Sequence, residues 1–405
     1  MVLGFLVGYV IVAFLLLPIY YNSGNVSIYS FLTSRLGESG RKTGAAFFLL
    51  NKLMGAAVKF YVAAYVLYQL SDVGFIPFPV FVLLCVSFVY FYTYRGGIRS
   101  IVWTDLLQTL LMVLSLALLL HKALSLMDLD WSSGFRYVAD SSMSRIFYFD
   151  DWSTRTYFWK LFVSGAFVVV VMTGLDQDMI QKNLSCRSLR EAQRNMLSYG
   201  LLFIPVNLLF LALGLLVTNY YGVDALPATG DGLLPFFVKE AGPVVLVCFA
   251  VGMLASSFSS VDSAMTAMTT SFLSDILGED AEKVSPKFRH RVHLGVAVAV
   301  CLVVMSLDFV RSDHAIDVVY QLVSYLYGPL LGMFAYCVSH KGRGVVDSAW
   351  IIAVAVLSPL ISFAVAKALH LSFGYDMGYE LLLLNGSITY FGIVCVRCIT
   401  SVGRS

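Results

Sequence analysis

The sequence predicts an all-α polytopic membrane protein. Its 405 residues are 59% hydrophobic and only 13% charged. A single soluble core cannot bury that much apolar surface, so lipid must act as the solvent. The long, nearly continuous apolar runs at 44–70 and 244–276 favour helices. An outer-membrane barrel would instead show short segments, about ten residues long, that alternate between apolar and polar residues.

Eleven apolar stretches are candidates for membrane spans, because a spanning helix needs about 20 mostly apolar residues. They are centred near residues 10, 57, 83, 111, 166, 207, 257, 300, 328, 358 and 389. The first stretch, from Val2 to about Pro18, has no basic leader and no small-residue cleavage site. It therefore predicts a span and not a signal peptide. Few residues remain for a soluble domain.

The basic residues predict how the chain is oriented. The net charge of +2 is too small to indicate a nucleic-acid partner. If Met1 starts outside, 17 of the 27 basic residues lie in inner loops or at the C-terminus and eight lie outside, while Lys52 and Lys59 fall within a helix. The positive-inside rule then predicts a multi-pass protein of the plasma (inner) membrane with a cytoplasmic C-terminus.

Two segments between the spans have a recognisable character. The polar inner connection from Tyr20 to Lys42 contains a short amphipathic pattern at 27–36, which predicts a helix on the membrane surface. The outer segment from Ser125 to Arg155 is acidic and is predicted to cap an entrance. The seven cysteines lie in or beside apolar stretches, and the one C-x-x-C has neither a second pair nor a nearby histidine. Neither a disulfide framework nor a transition-metal site is predicted, and no cofactor.

Ionisable and hydroxylated residues at membrane depth are costly, so they are candidates for function. The clearest example is the stretch from Gly252 to Thr270, in which four serines recur at i, i+3, i+4 and i+7 beside Asp262. These serines are Ser256, Ser259, Ser260 and Ser263. Small residues also allow close helix packing, which remains an alternative. Asp262 favours a functional role, because close packing does not require a carboxylate.

Three further positions carry polar groups into spans. Asp105 lies in R-G-G-I-R-S-I-V-W-T-D-L-L-Q-T and is either functional or an interface carboxylate paired with a nearby arginine. The segment G-L-D-Q-D-M-I-Q-K at 174–182 is either a gate or a solvated helix end. Lys59 lies midway along its span, with Lys52 seven residues earlier on the same face. Lys52 can extend to the inner surface, whereas Lys59 has further to reach.

These segments, in this order, resemble the sodium/solute symporter family, which includes sugar, proline, pantothenate, iodide and sialic acid cotransporters. Five landmarks carry the resemblance, at 27–37, 95–109, 174–192, 274–277 and 327–334. The resemblance implies a LeuT-type core of ten helices in two inverted five-helix repeats, with binding sites where helices break. It divides the single transmembrane domain into an incomplete first repeat at 1–122, an outer loop at 123–155, a second repeat at 156–338 and two additional spans at 339–405. The preceding span and first core helix are expected to be missing, as in a fragment or a chain with a misplaced start.

The resemblance also implies site residues. The carbonyl of Ser256 with the hydroxyls of Ser259 and Ser260 corresponds to the common sodium site. Asp105, Asp262 and Ser263 correspond to a second sodium site that only some members have. Substrate or gate roles fall on Lys59, Asp176, Gln177, Asp178 and Gln321. Lys59 lies near the position where the sialic acid branch has an arginine, which suggests an anionic substrate.

The expected function is sodium-coupled uptake of a small organic solute by alternating access, with sodium as the coupling ion. An anionic sugar such as sialic acid, or an organic acid, fits Lys59. An internal ion pair between Lys59 and an aspartate is an equal alternative. A non-transporting sensory or structural module of the same fold, or an inactive fragment, is the competing hypothesis. An intramembrane enzyme is not predicted, because no histidine, serine or metal-ligand constellation converges at membrane depth.

Overall fold

The protein is described by a computed structural model that covers residues 1–23, 27–70, 76–222, 232–279, 283–310, 315–340 and 345–402. Within these ranges, the side chains at 23, 92–105, 309–310, 315–323 and 401–402 are outside the description. The structure is 85% helical, and the described residues contain no strand. This confirms the all-α prediction.

Fourteen α-helices follow one another along the described residues. They are α1 Val2–Ile11, α2 Leu17–Ser23, α3 Ser30–Leu70, α4 Phe78–Leu126, α5 Trp131–Asp140, α6 Phe158–Val169, α7 Gln177–Leu184, α8 Leu189–Tyr221, α9 Leu233–Ala241, α10 Pro243–Ser271, α11 Pro286–Val310, α12 Ala315–Ser339, α13 Trp350–Phe373 and α14 Leu381–Val402. Three π-helical turns, at Val12–Leu16, Val170–Gly174 and Phe272–Ile276, follow α1, α6 and α10.

The centres of all eleven predicted apolar stretches lie inside helices. Among the described residues, eight helices are long and apolar enough to cross a membrane, or nine if the bent pair α6–α7 is one span. The stretches near 83 and 111 share the single 49-residue helix α4. The stretch near 328 belongs to α12, whose side chains at 315–323 lie outside the described residues.

Helices α3 and α10 form the centre of the packing. Each contributes buried residues to all three apolar clusters of the described structure. In the first cluster, α3 packs with α1, α2, the α6–α7 region and α12. In the second, α3 and α10 pack with α4 and α11, and in the third with α4, α8 and α9. A polar group on the buried side of α3 or α10 is therefore surrounded by other helices, whereas Lys59 and Ser260 are exposed.

A kink at Gly37 divides α3, since its backbone there has φ +62°, a conformation that glycine adopts without strain. Residues 30–36 form the short helix predicted from the amphipathic pattern at 27–36. Leu32 and Leu36 are fully buried in the first cluster. The helix therefore packs into the protein on its apolar side instead of lying only against the membrane surface.

Helix α12 contains Pro329, which cannot donate a hydrogen bond to the carbonyl of Tyr325, four residues earlier. The side-chain amide of Asn385, on α14, donates to that carbonyl at 2.8 Å and to the carbonyl of Ser324 at 3.1 Å. Asn385 is fully buried. Helix α14 thus satisfies the backbone group that the proline leaves without its helical partner.

The acidic outer segment, predicted to be a cap, contains α5. A capping box begins this helix, in which Asp130 accepts a hydrogen bond from the backbone N–H of Ser133 at 2.8 Å. Hydrogen bonds from Ser133 hold the pKa of the Asp130 carboxyl below its usual value. Further along, Arg155 pairs with Asp376 at 3.5 Å, so the segment contacts the α13–α14 connection. Its role as a cap stays a prediction.

Candidate functional site

The bent pair α6–α7 interrupts the helical backbone inside the bundle. The two helices meet at an angle of 66°, after the π-helical turn Val170–Gly174. Asp176 begins α7 as its N-cap, and its side chain accepts from the backbone N–H groups of Asp178 and Met179. The sequence favours this break, because a β-branched run ends in glycine and is followed by a good capping residue.

Two tyrosine hydroxyls satisfy the carbonyl groups exposed at the bend. Tyr20 donates to the carbonyl of Gly174 at 2.8 Å, and Tyr29 donates to the carbonyl of Leu175 at 2.8 Å. Both tyrosines are buried. Irregular backbone at membrane depth is tolerated where the protein itself supplies such partners.

Lys52 of α3 reaches the start of α7. Its ammonium lies 3.0 Å from both carboxylate oxygens of Asp176 and 3.0 Å from Oδ2 of Asp178. The hydroxyl of Tyr327, on α12, also donates to Asp176 at 3.0 Å. The side chains of Lys52, Asp176 and Asp178 are 15%, 6% and 12% exposed. The expectation that Lys52 extends to the inner surface is therefore wrong, because two buried carboxylates hold its charge inside the protein.

Gln177 completes the contacts at the bend. It is fully buried, and its side-chain oxygen accepts from the backbone N–H of Ile28 at 2.9 Å. Asp176, Gln177 and Asp178 therefore do not form a solvated helix end. Together they connect α7 to α3, to α12 and to the segment before α3.

A cavity of about 300 Å³ lies between α3, α4 and α10. Its polar lining consists of Lys59 from α3 and the three serines Ser256, Ser257 and Ser260 from α10. Its apolar lining is larger and comprises Val58, Phe60, Val62, Ala63, Met112 and Met253. One cation and a few hydroxyls thus face a space whose walls are otherwise apolar.

Lys59 differs from Lys52 in its surroundings. Among the described residues, no carboxylate lies within 4.0 Å of the Lys59 ammonium. Asp176 and Asp178 pair with Lys52 instead. Lys59 is an exposed residue that lines the cavity, and the alternative of an internal ion pair finds no partner among the described side chains, which do not include that of Asp105.

The predicted serine face is divided between two environments. Ser256 and Ser260 line the cavity. Ser259, Asp262 and Ser263 are buried, with 8%, 1% and 6% of their surfaces exposed. The Ser263 hydroxyl has no hydrogen-bond partner among the described residues. The side chains of Asp105, in α4, and Gln321, in α12, lie outside the described residues, so their predicted places in a site stay predictions.

Sequence reasoning missed the partners of the bent pair. Lys52 and Tyr327 reach Asp176 across 124 and 151 residues, a separation that helical periodicity does not encode. It also missed the π-helical turn that follows α10, where Asp275 accepts from Ser27 and Ser271 at 2.8 Å each and from Arg41 at 3.2 Å. The available signal was charge balance, since an apolar helix that carries a lysine requires an opposite charge nearby.

Comparison with known proteins identifies the family that these features belong to. The model of the sodium:solute symporter family matches residues 1–338. The chain belongs to the sodium:solute symporter family. This confirms the predicted family.

Three relatives illustrate the match. The human sodium/iodide cotransporter is 24% identical over 389 residues, which are 89% of this chain and 59% of the relative. The mouse sodium-coupled monocarboxylate transporter 2 is 25% identical over 82% of this chain and 55% of its own length. A sodium/sialic acid symporter from Aliivibrio fischeri is 26% identical over 95% of this chain and 79% of the relative. The chain thus spans less than two thirds of the length of the first two.

Two solved structures share the fold. A sodium-coupled sialic acid symporter in a substrate-bound, outward-open state aligns with a TM-score of 0.76 and 20% identity, covering 96% of this chain and 81% of that one. A closed transporter of the nucleobase-cation-symport-1 family aligns with a TM-score of 0.58 and 14% identity, covering 98% and 85%. The likeness confirms the predicted LeuT-type fold in a multi-pass membrane protein.

Proposed function

We propose that this chain carries out sodium-coupled uptake of a small organic anion by alternating access. Family membership supports sodium as the coupling ion. The observation that carries the choice of an anion is Lys59, whose ammonium faces a cavity lined by Ser256 and Ser260.

The choice of an anionic substrate follows from the free-energy cost of an unpaired charge inside a membrane protein. An ammonium at membrane depth is unfavourable unless an opposite charge accompanies it. Lys52 has two aspartates for that purpose, whereas Lys59 has no carboxylate within 4.0 Å among the described residues. A substrate carboxylate in the cavity would supply the missing charge. Iodide, monocarboxylates and sialic acid, for which these three relatives are named, are anions, which is consistent with this choice.

The cavity also bears on the body of the substrate. Its volume of about 300 Å³ lies at the small end of ligand pockets. Six of its ten lining residues are apolar, and Lys59 presents a compact point charge instead of a planar fork. These features favour an organic acid with an apolar body over an anionic sugar with many hydroxyls.

The sodium sites are assigned to α10. The carbonyl of Ser256 with the hydroxyls of Ser259 and Ser260 is proposed as the first site, because hydroxyl and carbonyl oxygens are the ligands that transporters of this fold offer to sodium. Asp262 and Ser263, together with Asp105, are proposed as the second. The buried Ser263 hydroxyl, without a hydrogen-bond partner among the described residues, supports a ligand there.

Sodium supplies the driving force. Each sodium that enters down the membrane potential contributes about 2.3 kcal/mol per 100 mV, in addition to its concentration gradient. If sodium and substrate favour the same outward-facing state, each raises the affinity for the other. The remaining assignments belong to the same proposal: Gln321 as a substrate contact, 174–182 as a gate, the repeats at 1–122 and 156–338, the plasma (inner) membrane and a cytoplasmic C-terminus.

Uptake into liposomes tests the proposal. The chain, and the same reading frame extended upstream where the gene permits, is reconstituted and given an inward sodium gradient. We expect accumulation of short organic acids, and loss of accumulation when potassium replaces sodium. A well-folded protein that accumulates no solute under any gradient would instead indicate a non-transporting module. Accumulation that does not respond to sodium would contradict the coupling.

A further inference from the structure

We propose that Lys52 is a positioning residue that locks α7 against α3 on the inner side, and that each transport cycle must break its two ion pairs. The inference rests on the proposed function, because a lock that opens has meaning only in a protein that alternates between two states. It assigns a role to a lysine for which the sequence predicted only a route to the membrane surface.

One carboxylate, at the start of α7, binds groups from both α3 and α12. Asp176 binds the Lys52 ammonium of α3 through both oxygens at 3.0 Å and accepts from the Tyr327 hydroxyl of α12 at 3.0 Å. Asp178, two residues later, binds the same ammonium at 3.0 Å. These are the first charged residues after the 66° bend, where the backbone can change direction most easily. The ion pairs therefore fix α7 at the place where it would otherwise pivot.

Helix α7 can leave this lock without unfolding. The cap that Asp176 provides for Asp178 N–H, at 3.0 Å, lies within α7 itself. Separation of α7 from its neighbours breaks the bonds to Lys52, Tyr327 and the backbone N–H of Ile28 but leaves the cap in place. The tyrosine bonds to the carbonyls of Gly174 and Leu175 lie before the cap and need not break either. Movement of α7 as a rigid unit is thus compatible with every local bond that starts the helix.

Burial gives the lock its strength. The three charged side chains are at most 15% exposed, so water competes weakly with the ion pairs. Removal of the lysine leaves the buried Asp176 carboxylate without a cation and leaves Asp178 with Lys182 alone, at 3.7 Å, which disfavours the closed arrangement. Opening hydrates both carboxylates and removes that penalty. The substitution should therefore shift the protein toward the state that is open on the inner side.

Thiol labelling provides the test. Ala45 is fully buried and lies seven residues before Lys52 on the same face of α3, toward the proposed inner side. We introduce Ala45→Cys after replacing the exposed Cys395 and Cys398 with serine. In this background we expect Lys52→Met to raise the rate of maleimide labelling about tenfold, and Lys52→Arg to leave it nearly unchanged.

A matched control is Lys160→Met. Lys160 forms an ion pair with Glu380 at 3.2 Å, next to the outer segment, and its removal should not expose position 45. If Lys52→Met does not accumulate, Tyr327→Phe takes its place. It removes one hydrogen bond to Asp176 and should raise labelling by a smaller factor. Equal labelling in Lys52→Met, or in Tyr327→Phe where that variant substitutes for it, and in the unsubstituted background would overturn the lock.

A second measurement separates a lock from a merely structural contact. A shift toward the inner-open state lowers the apparent affinity for an ion that binds the outward-facing state. We expect sodium to slow labelling of Ala45→Cys, and Lys52→Met to need a sodium concentration several-fold higher for the same protection. Labelling does not depend on uptake. Absence of transport with a tenfold labelling change would reject the proposed function and keep the lock, whereas transport with unchanged labelling would do the reverse.

Discussion

Two lysines on the same face of α3, seven residues apart, lie in contrasting surroundings. Lys52 binds two carboxylates at 3.0 Å, at the bend where α7 begins. Lys59, about 10 Å further along the helix, faces a cavity of about 300 Å³ with hydroxyls and no carboxylate within 4.0 Å among the described residues. The chain itself satisfies the charge of Lys52, whereas the proposed function assigns the partner of Lys59 to the substrate. The contrast separates a residue in an internal ion pair from a proposed ligand contact.

The largest expected effect is on the cavity side of this contrast. Lys59→Met should lower uptake of an organic acid more than tenfold, because a carboxylate in the cavity would lose its only cation among the described lining residues. Sodium-driven uptake in liposomes measures the loss. Lys59→Arg should retain part of the activity, since it keeps the charge. Full uptake by Lys59→Met would place the substrate elsewhere.

A smaller effect is expected from the hydroxyls of the cavity. Ser260→Ala should weaken the apparent sodium affinity several-fold, since it removes an oxygen ligand from the proposed first site. Ser257→Ala is the matched variant, because the Ser257 hydroxyl already donates to the carbonyl of Met253 at 2.8 Å. The sodium dependence of uptake distinguishes the two. Equal effects would argue that the serines act only in helix packing.

Asn385 tests whether a buried hydrogen bond to a helix carbonyl acts on stability alone. Asn385→Leu leaves the Tyr325 carbonyl beside Pro329 without its donor, and an unsatisfied buried carbonyl costs about 1–3 kcal/mol. We expect a lower temperature of unfolding in detergent and an unchanged sodium affinity. A changed sodium affinity with normal stability would instead connect α14 to the ion sites.

The smallest effect is expected outside the membrane-spanning helices, on the stability of α5 at its N-cap. Asp130 caps the helix as a carboxylate, and hydrogen bonds from Ser133 keep its pKa below the usual value. The cap is therefore present above the unfolded pKa of the aspartate and is lost as the pH falls through the lowered folded value. The protection of α5 amides against hydrogen exchange, relative to an unfolded chain at the same pH, should fall modestly at acidic pH. In Asp130→Ala this protection should be lower already at neutral pH. Equal hydrogen exchange in Asp130→Ala and the parent would contradict a stabilising role for the Asp130 cap.

The sequence predicted the helices better than the contacts between them. Each predicted apolar stretch lies in an observed helix, because membrane insertion depends on local composition. The serine pattern on α10 predicted one shared face, but the cavity takes Ser256 and Ser260 while Ser263 is buried without a hydrogen-bond partner among the described residues. Helical periodicity alone does not show which neighbouring helix each residue of a face contacts.

The two lysines show the same limit. Their positions in one apolar span predicted that each needed a partner or a route to water, but not which of them would have the aspartates. The partners of Lys52 are 124 and 126 residues away, and the bend at 174–177 decides that they face it. A single sequence carries no record of such a pairing. The predicted roles of Asp105 and Gln321 lie outside the described side chains and stay predictions.

The most direct test of the central claim is the uptake of a matched pair of solutes, a short monocarboxylate and its neutral amide, by the reconstituted protein under an inward sodium gradient. We predict that the carboxylate accumulates, that the amide does not, and that the carboxylate stimulates sodium entry in return. Equal accumulation of the two solutes, or accumulation of the amide alone, would contradict the assignment of Lys59 as the contact for an anionic substrate.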